Sequence, residues 1–491
     1  MRKPFLLAVA LFLCFALVAC NGNTPADTTD DITNLPSTET SELVETLGVP
    51  ETADYGGKEF TILYAGHTVS TEFGFEEETG IALDNAQYKR VKTIEQAYNV
   101  DIVEVQKKSS DTNGNGAGFQ ELSNAANSGT SDYDLALTSA YDVAVLAYNG
   151  YLYDMASVPG IDLTKSWWDK NATESLSVND VTFFTTGDIT VSDNYSTFAL
   201  MFNKKLLNDY GLKSPYDMVY DGTWTFEEFG NMCKVVSEDL NQDGVMDTND
   251  RFGLLVWDDS IVGIVNAAGE RCCTINDDGE IELTFYSDTT LAALEKYAAI
   301  AYDTQYALTY QRHVKTAEVL KTMWPNDQAL FFTSYMSSIQ NCRSMESDFG
   351  ILPYPKLNEQ QEEYYSCVAP YNARFICVPL IQKDLERTGV ITEALAYYGK
   401  EIVTPAYYDV NLIGLSTRDE ESSDMLDIIF GNRVYDIGYF YQVGTYNKQL
   451  ILMLRAYDSN FTSMYETYRS AAENSLKVIN QFYSEAVSDW Q

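Results

Sequence analysis

The sequence predicts an α/β protein built on a parallel sheet. Three observations support this: short, nearly continuous apolar runs of strand length, intervening stretches with apolar residues at helical spacing, and glycine or polar breaks between them. The first run, 58–64 (KEFTILY), has the character of a strand buried on both faces and ends at Ala65, Gly66 and His67. Over 86–98, Tyr88, Val91, Ile94 and Tyr98 recur at helical spacing, and a second β-rich run follows at 101–105. A short helix is predicted over 119–127, closing near Gly129, before a third strand at 133–137. This alternation implies right-handed crossovers. In such sheets a ligand sits beyond the carboxyl ends of the strands, which nominates Gly66, His67, Thr138, Ser139 and Tyr141.

Further along, 181–189 and 196–203 are two extended runs in succession, suited to crossing between lobes. Buried strands are predicted at 252–257 and 328–333, and 425–486 is helical in character and rich in Tyr and Phe. The 491 residues are enough for two or more lobes. With 72 acidic against 32 basic residues the formal charge is -40, which repels phosphate backbones and excludes a nucleic-acid partner.

The chain opens with Arg2 and Lys3 before an apolar run at 5–18, the pattern of a signal peptide and too short to span a bilayer. Leu17-Val18-Ala19-Cys20 resembles the bacterial lipobox. That resemblance implies a signal peptide at 1–20, a lipid on Cys20, and a protein anchored at the extracellular face of the cell membrane. Residues 21–55, polar and acidic, are expected to form a disordered linker. Six cysteines remain beyond Cys20, with no CxxC spacing; buried thiols are the expectation, and pairing in an oxidising exterior is the alternative.

Several strings, in their order and spacing, resemble the extracellular solute-binding proteins of family 1. They are Asp162-Leu163 through Trp167-Trp168-Asp169, Thr185-Thr186-Gly187-Asp188, Met201-Phe202-Asn203-Lys204-Lys205, and Gly222-Thr223-Trp224-Thr225, followed by 327–332 (DQALFF) and 349–355 (FGILPYP). The resemblance implies a two-lobed periplasmic-binding-protein-like fold of type II, each lobe a β-sheet flanked by helices, joined by a hinge. It places 57–190 plus 368–415 in lobe one and 191–367 plus 416–491 in lobe two. It further implies a substrate-binding protein of an ABC importer that captures a small solute, an oligosaccharide by preference, and hands it to permease subunits. Peptides and polyols remain open as ligands.

Flat rings match the C–H faces of sugars, and 35 Tyr with six Trp supply many. Positions past strand ends or near the family's ligand favour Tyr141, Trp257 and Tyr335, then Tyr371; Trp167 and Trp168 suit packing. Ser139, Asp188, Asp193, Asn194 and Asn372 are the polar candidates, each equally suited to capping a turn.

The sharpest local motif is 239–250. Asp239, Asn241, Asp243, Asp247 and Asp250 stand at loop positions one, three, five, nine and twelve, with Val245 offering its carbonyl at seven and Gly244 at six. This is an EF-hand-like loop for one structural calcium ion; the alternative is an uncoordinated acidic turn. A helix is expected to start at Thr225, capped with Glu228. Catalysis finds little footing. His67 and His313 are the only histidines, and neither sits in an HExxH context. The many carboxylates leave room for a glycoside-hydrolase pair, and a scaffold or adhesion lipoprotein is the other alternative class.

Overall fold

The computed structural model describes residues 45–68, 70–109, 113–130, 132–310, 315, 319–342, 345–414 and 421–490. The leader, Cys20 and 21–44 of the expected linker lie outside these residues. In chain order the strands are β1 (Lys58–Gly66), β2 (Val100–Lys108), β3 (Leu135–Ser139), β4 (Phe198–Asn203), β5 (Phe252–Val256), β6 (Cys273–Ile275) and β7 (Ile281–Leu283). They continue with β8 (Ala307–Thr309), β9 (Ala329–Tyr335), β10 (Phe349–Leu352), β11 (Ser366–Cys367), β12 (Arg374–Cys377) and β13 (Arg433–Val434).

Four strands form one sheet, in the order β12-β3-β1-β2, and five form another, β10-β4-β9-β5-β8. In the first, β1 runs parallel to β2 and β3, while β12 is antiparallel to β3. The continuous apolar run of β1 has a direct cause. Phe60, Ile62 and Tyr64 pack with Val91, Ile94 and Tyr98 of the helix Ala82–Tyr98. Leu63 and Ala65 join the core containing Leu122, Val143 and Leu146 on the other face. Both faces of the strand are therefore covered, as parallel sheets require. In the second sheet β5 is parallel to β8 and β9, whereas β4 runs antiparallel to β9 and β10.

Two expectations need correcting. No strand forms over 181–189: Val181, Phe183 and Phe184 are buried in irregular backbone that bridges to β12 at Thr185 with Ile376. Gly187 lets this backbone pass close to Trp167, where a β-carbon would lie 2.3 Å from the carbonyl oxygen. A helical turn, Ser192–Ser196, then precedes β4, so the crossing is not two extended runs. The linker also ends sooner than expected. Leu47 is buried, Tyr98 Oη donates to the Pro50 carbonyl at 2.7 Å, and the amides of Ala53 and Tyr55 bond to the end of the helix Ala82–Tyr98.

Among the described residues the C-terminal region carries the helices Glu421–Gly431, Ile437–Phe440, Tyr446–Ala456 and Phe461–Trp490. Phe440 packs on Phe375 of β12, and Tyr441 lies near Phe184 and Tyr148, while Tyr446–Ala456 packs against the helix Ser260–Ala267 after β5. This region therefore touches elements of both sheets. Among the described residues no helix is long and apolar enough to cross a membrane.

Candidate functional site

One cleft of about 440 Å³ lies where the ends of the two sheets meet. From the first sheet come His67 after β1, Tyr141 after β3, and Tyr371 with Asn372 before β12. Because β12 is antiparallel to β3, its beginning lies at the same edge as the ends of β1 and β3. From the second come Trp257 and Asp259 after β5, Tyr335 at the end of β9, and Phe198 at the start of the antiparallel β4. The helix Tyr446–Ala456 supplies a third wall, with Asn447, Lys448, Ile451, Leu452 and Arg455.

The rings form two groups. Trp257 and Tyr335 meet edge to face with centroids 4.0 Å apart, and Phe198 lies 5.1 Å from Tyr335. On the first-sheet side, His67 and Tyr371 have centroids 4.6 Å apart, and His67 Nδ1 shares a 2.7 Å hydrogen bond with Tyr371 Oη. Burial, then the charges of Arg374 and Lys108, push the His67 pKa down, which favours the neutral ring. Asn447 Nδ2 donates to Tyr141 Oη at 2.8 Å. Trp257 Nε1 is buried with no hydrogen-bond partner among the described residues. Behind the cleft, Asp258 is fully buried and pairs with Arg455 Nε. Burial, then the neighbouring Asp258 charge, raise the Asp259 carboxyl to about 7.

The structure thus brings together His67, Tyr141, Trp257, Tyr335, Tyr371 and Asn372. Other nominated residues do different work. At Gly66 a β-carbon would sit 2.8 Å from Arg374 Nη2, so the glycine gives the guanidinium room. Ser139 caps the helix Ala140–Tyr148, its hydroxyl accepting from the Asp142 amide at 3.4 Å. Asp188 and Asp193 line a separate hollow of about 810 Å³ beside Trp168 and Arg433. There Asp188 accepts from Thr404 Oγ1 at 2.6 Å, and burial raises its carboxyl to about 6. Asp193 and Asp169 flank Arg433 at 3.0 and 2.5 Å. Trp167 and Trp168 each donate their indole N–H to Glu393 at 3.0 Å.

Asp259, Phe198 and the 447–455 face were not nominated from the sequence. Asp259 stands two residues past Trp257 in the same strand-end turn, so the strand-end rule reaches it. The helix has no such signal, being separated from every strand of the two sheets by more than sixty residues of chain.

In the 239–250 loop, Asp239 accepts from the amides of Gln242 and Gly244, both at 2.8 Å, and Asp250 from those of Leu240 at 3.0 Å and Asp247 at 2.8 Å. Asn241 and Asp243 accept from the amides of Asp243 at 2.9 Å and Val245 at 2.8 Å. Gly244 turns the chain at φ +82°. Among the described residues no three His, Cys, Asp or Glu side chains converge on a common metal position. The six cysteines beyond Cys20 are buried and unpaired.

A family model for bacterial extracellular solute-binding proteins matches residues 95–368. The chain belongs to that family. Solved structures of similar fold include the Listeria monocytogenes ABC substrate-binding protein Lmo0181 in complex with cycloalternan. It is 14% identical, with 87% of this chain and 99% of that chain covered and a TM-score of 0.54. The cyclic α-maltosyl-1,6-maltose binding protein of Arthrobacter globiformis is 13% identical, with coverages of 87% and 100% and a TM-score of 0.57. The GacH receptor of Streptomyces glaucescens, solved unliganded and with acarbose, is 14% identical, with coverages of 89% and 100% and a TM-score of 0.53. These likenesses establish the type II periplasmic-binding-protein fold for this solute-binding protein. No curated protein matches the chain.

Proposed function

We propose that this solute-binding protein captures a short oligosaccharide between its two sheets and presents it to the permease subunits of an ABC importer. The observation that carries the reading is the cleft itself. Two groups of rings, around Trp257 and around Tyr371, face it from opposite sheets, beside Asp259 and Asn372 as hydrogen-bonding groups. Its volume falls in the ~300–1,000 Å³ range of small-molecule pockets. The saccharide complexes of the similarly folded proteins agree with this. A thermal-shift screen of the mature chain against oligosaccharides tests it. A ligand at a hundred times its Kd adds about 2.7 kcal/mol. A flat melting profile across the panel contradicts the reading, and recovery of the ligand chemically unchanged separates binding from glycoside hydrolysis.

Three parts of the proposal lie away from the cleft. A lipid on Cys20 anchors the chain outside the cell; in Cys20→Ala the protein leaves the membrane fraction or keeps its signal peptide. Closure about 189–198 traps the ligand, and that segment is gripped at its root by a buried pair. Arg90 Nη1 donates to the Ile189 carbonyl at 2.6 Å, and Glu72 accepts from Thr190 Oγ1 at 3.0 Å and the Val191 amide at 3.3 Å. A calcium ion in the 239–250 loop adds stability, since a carboxylate offers about four lone-pair sites and the amide bonds do not exhaust them. Chelation then lowers the melting temperature without abolishing folding, whereas an unchanged melt in chelator and in Asp243→Ala favours the plain acidic turn.

A further inference from the structure

The cleft reverses the charge balance of the chain. Acidic residues outnumber basic ones 72 to 32 overall. Among the described residues lining the cleft, Asp259 is the only carboxylate, against two cations, Lys448 and Arg455. Both cations belong to the helix Tyr446–Ala456. Seven residues apart, they share one face and stand about 10 Å from each other along the axis. The bond from Asn447 to Tyr141 sets that face toward the cleft.

These groups differ in what they already hold. Arg455 is tied through Nε to the buried Asp258. Lys448 is exposed and has no ion-pair or hydrogen-bond partner among the described residues. Lys448 therefore offers an ammonium at the cleft that no side chain among the described residues already holds. Asp259 is the opposing carboxylate, and burial, then the Asp258 charge, raise its pKa and so lessen its opposition. A second, independent observation has the same sense. Trp257 lines the cleft, and its Nε1 is a buried donor with no acceptor among the described residues. The overall charge of -40 acts from farther away, and physiological salt screens it beyond about 8 Å, so Lys448, the cation not already paired, acts on the last step of binding.

We infer that the cleft selects an acidic saccharide, a short oligosaccharide bearing a uronate carboxylate, held against Lys448 on the side of Arg455. The inference rests on the reading of the cleft as an oligosaccharide site and adds the class of sugar. The closing experiment is titration calorimetry of the full mature chain with two sets of di- and trisaccharides of matched length. One set contains galacturonate, glucuronate or mannuronate; the other is neutral, including maltose and maltotriose. The expected result is that an acidic member binds at least tenfold tighter than every neutral one, and more weakly as salt rises. Lys448→Glu then removes that preference, while its melting curve stays that of the wild type, as befits an exposed position. A neutral member binding tightest, or an acidic ligand indifferent to Lys448→Glu, overturns the inference and leaves the oligosaccharide reading standing. Binding of neither set overturns both.

Discussion

The hollow around Arg433 and the cleft around Trp257 are built from similar residue types and use them differently. In the first, the charged groups are turned on one another: Arg433 lies between Asp169 and Asp193, and Tyr435 Oη donates to both carboxylates at 2.9 and 3.2 Å. In the second, rings from both sheets line the cleft, with one carboxylate, Asp259, among them. The first hollow is the larger, about 810 Å³ against about 440 Å³. Under the proposed function the smaller of the two takes the solute, so size is not the criterion. On the proposed reading the stacking surface decides, since Arg433 is already held between two carboxylates, with Arg433 Nε and Asp193 Oδ1 the atoms there that keep no partner among the described residues.

The contrast is sharpest in substitutions that separate stability from affinity. Arg433→Ala leaves two buried carboxylates facing each other, and chemical denaturation should show a loss of about 3–5 kcal/mol. The affinity of the remaining folded protein for a saccharide should be unchanged. Trp257→Ala also opens a core cavity, at about 3–5 kcal/mol of stability, but differs in affinity: calorimetry on the folded fraction should lose about 2 kcal/mol or more, which is over tenfold. If Arg433→Ala weakens the folded protein's affinity as much as Trp257→Ala does, the two regions are not separate.

Asp188 offers a third comparison, through pH. Its carboxyl is raised by burial from 3.8 to about 6, so between those values the folded chain holds a proton that the unfolded chain has released. The stability tied to this group is present at low pH and is lost as pH rises through about 6. Asp188→Asn should flatten stability against pH over that window, by about 1–3 kcal/mol, with saccharide affinity unaltered. The smallest effect belongs to Ser139→Ala, which removes a helix cap for about 1 kcal/mol and should leave binding as it was.

These cases also show what a linear reading reaches. The first sheet was legible because β1 is apolar on both faces, and β1 and β3 end at His67 and Tyr141, where the cleft begins. Trp257 and Tyr335 were reachable for the same reason, as residues just past or at the end of β5 and β9. Asp188 and Asp193 looked identical to ligand-binding carboxylates in sequence. What distinguishes them is Arg433, some 240 residues away, and Thr404, neither of which any local pattern connects to them. The third wall was hidden likewise: Lys448, Leu452 and Arg455 read as an ordinary helical face, and only the packing of that helix on Ser260–Ala267 turns it to the cleft. Buried irregular backbone, as at 181–189, is apolar for the same reason a strand is, so hydrophobicity alone could not tell them apart.

The most direct test of the whole account is a crystal structure of the mature chain with the tightest saccharide from the screen. The account expects ligand density between Trp257 and Tyr371, against the helix Tyr446–Ala456, with the Arg433 hollow free of sugar. Density in the Arg433 hollow, or on a surface away from both sheets' ends, would contradict it.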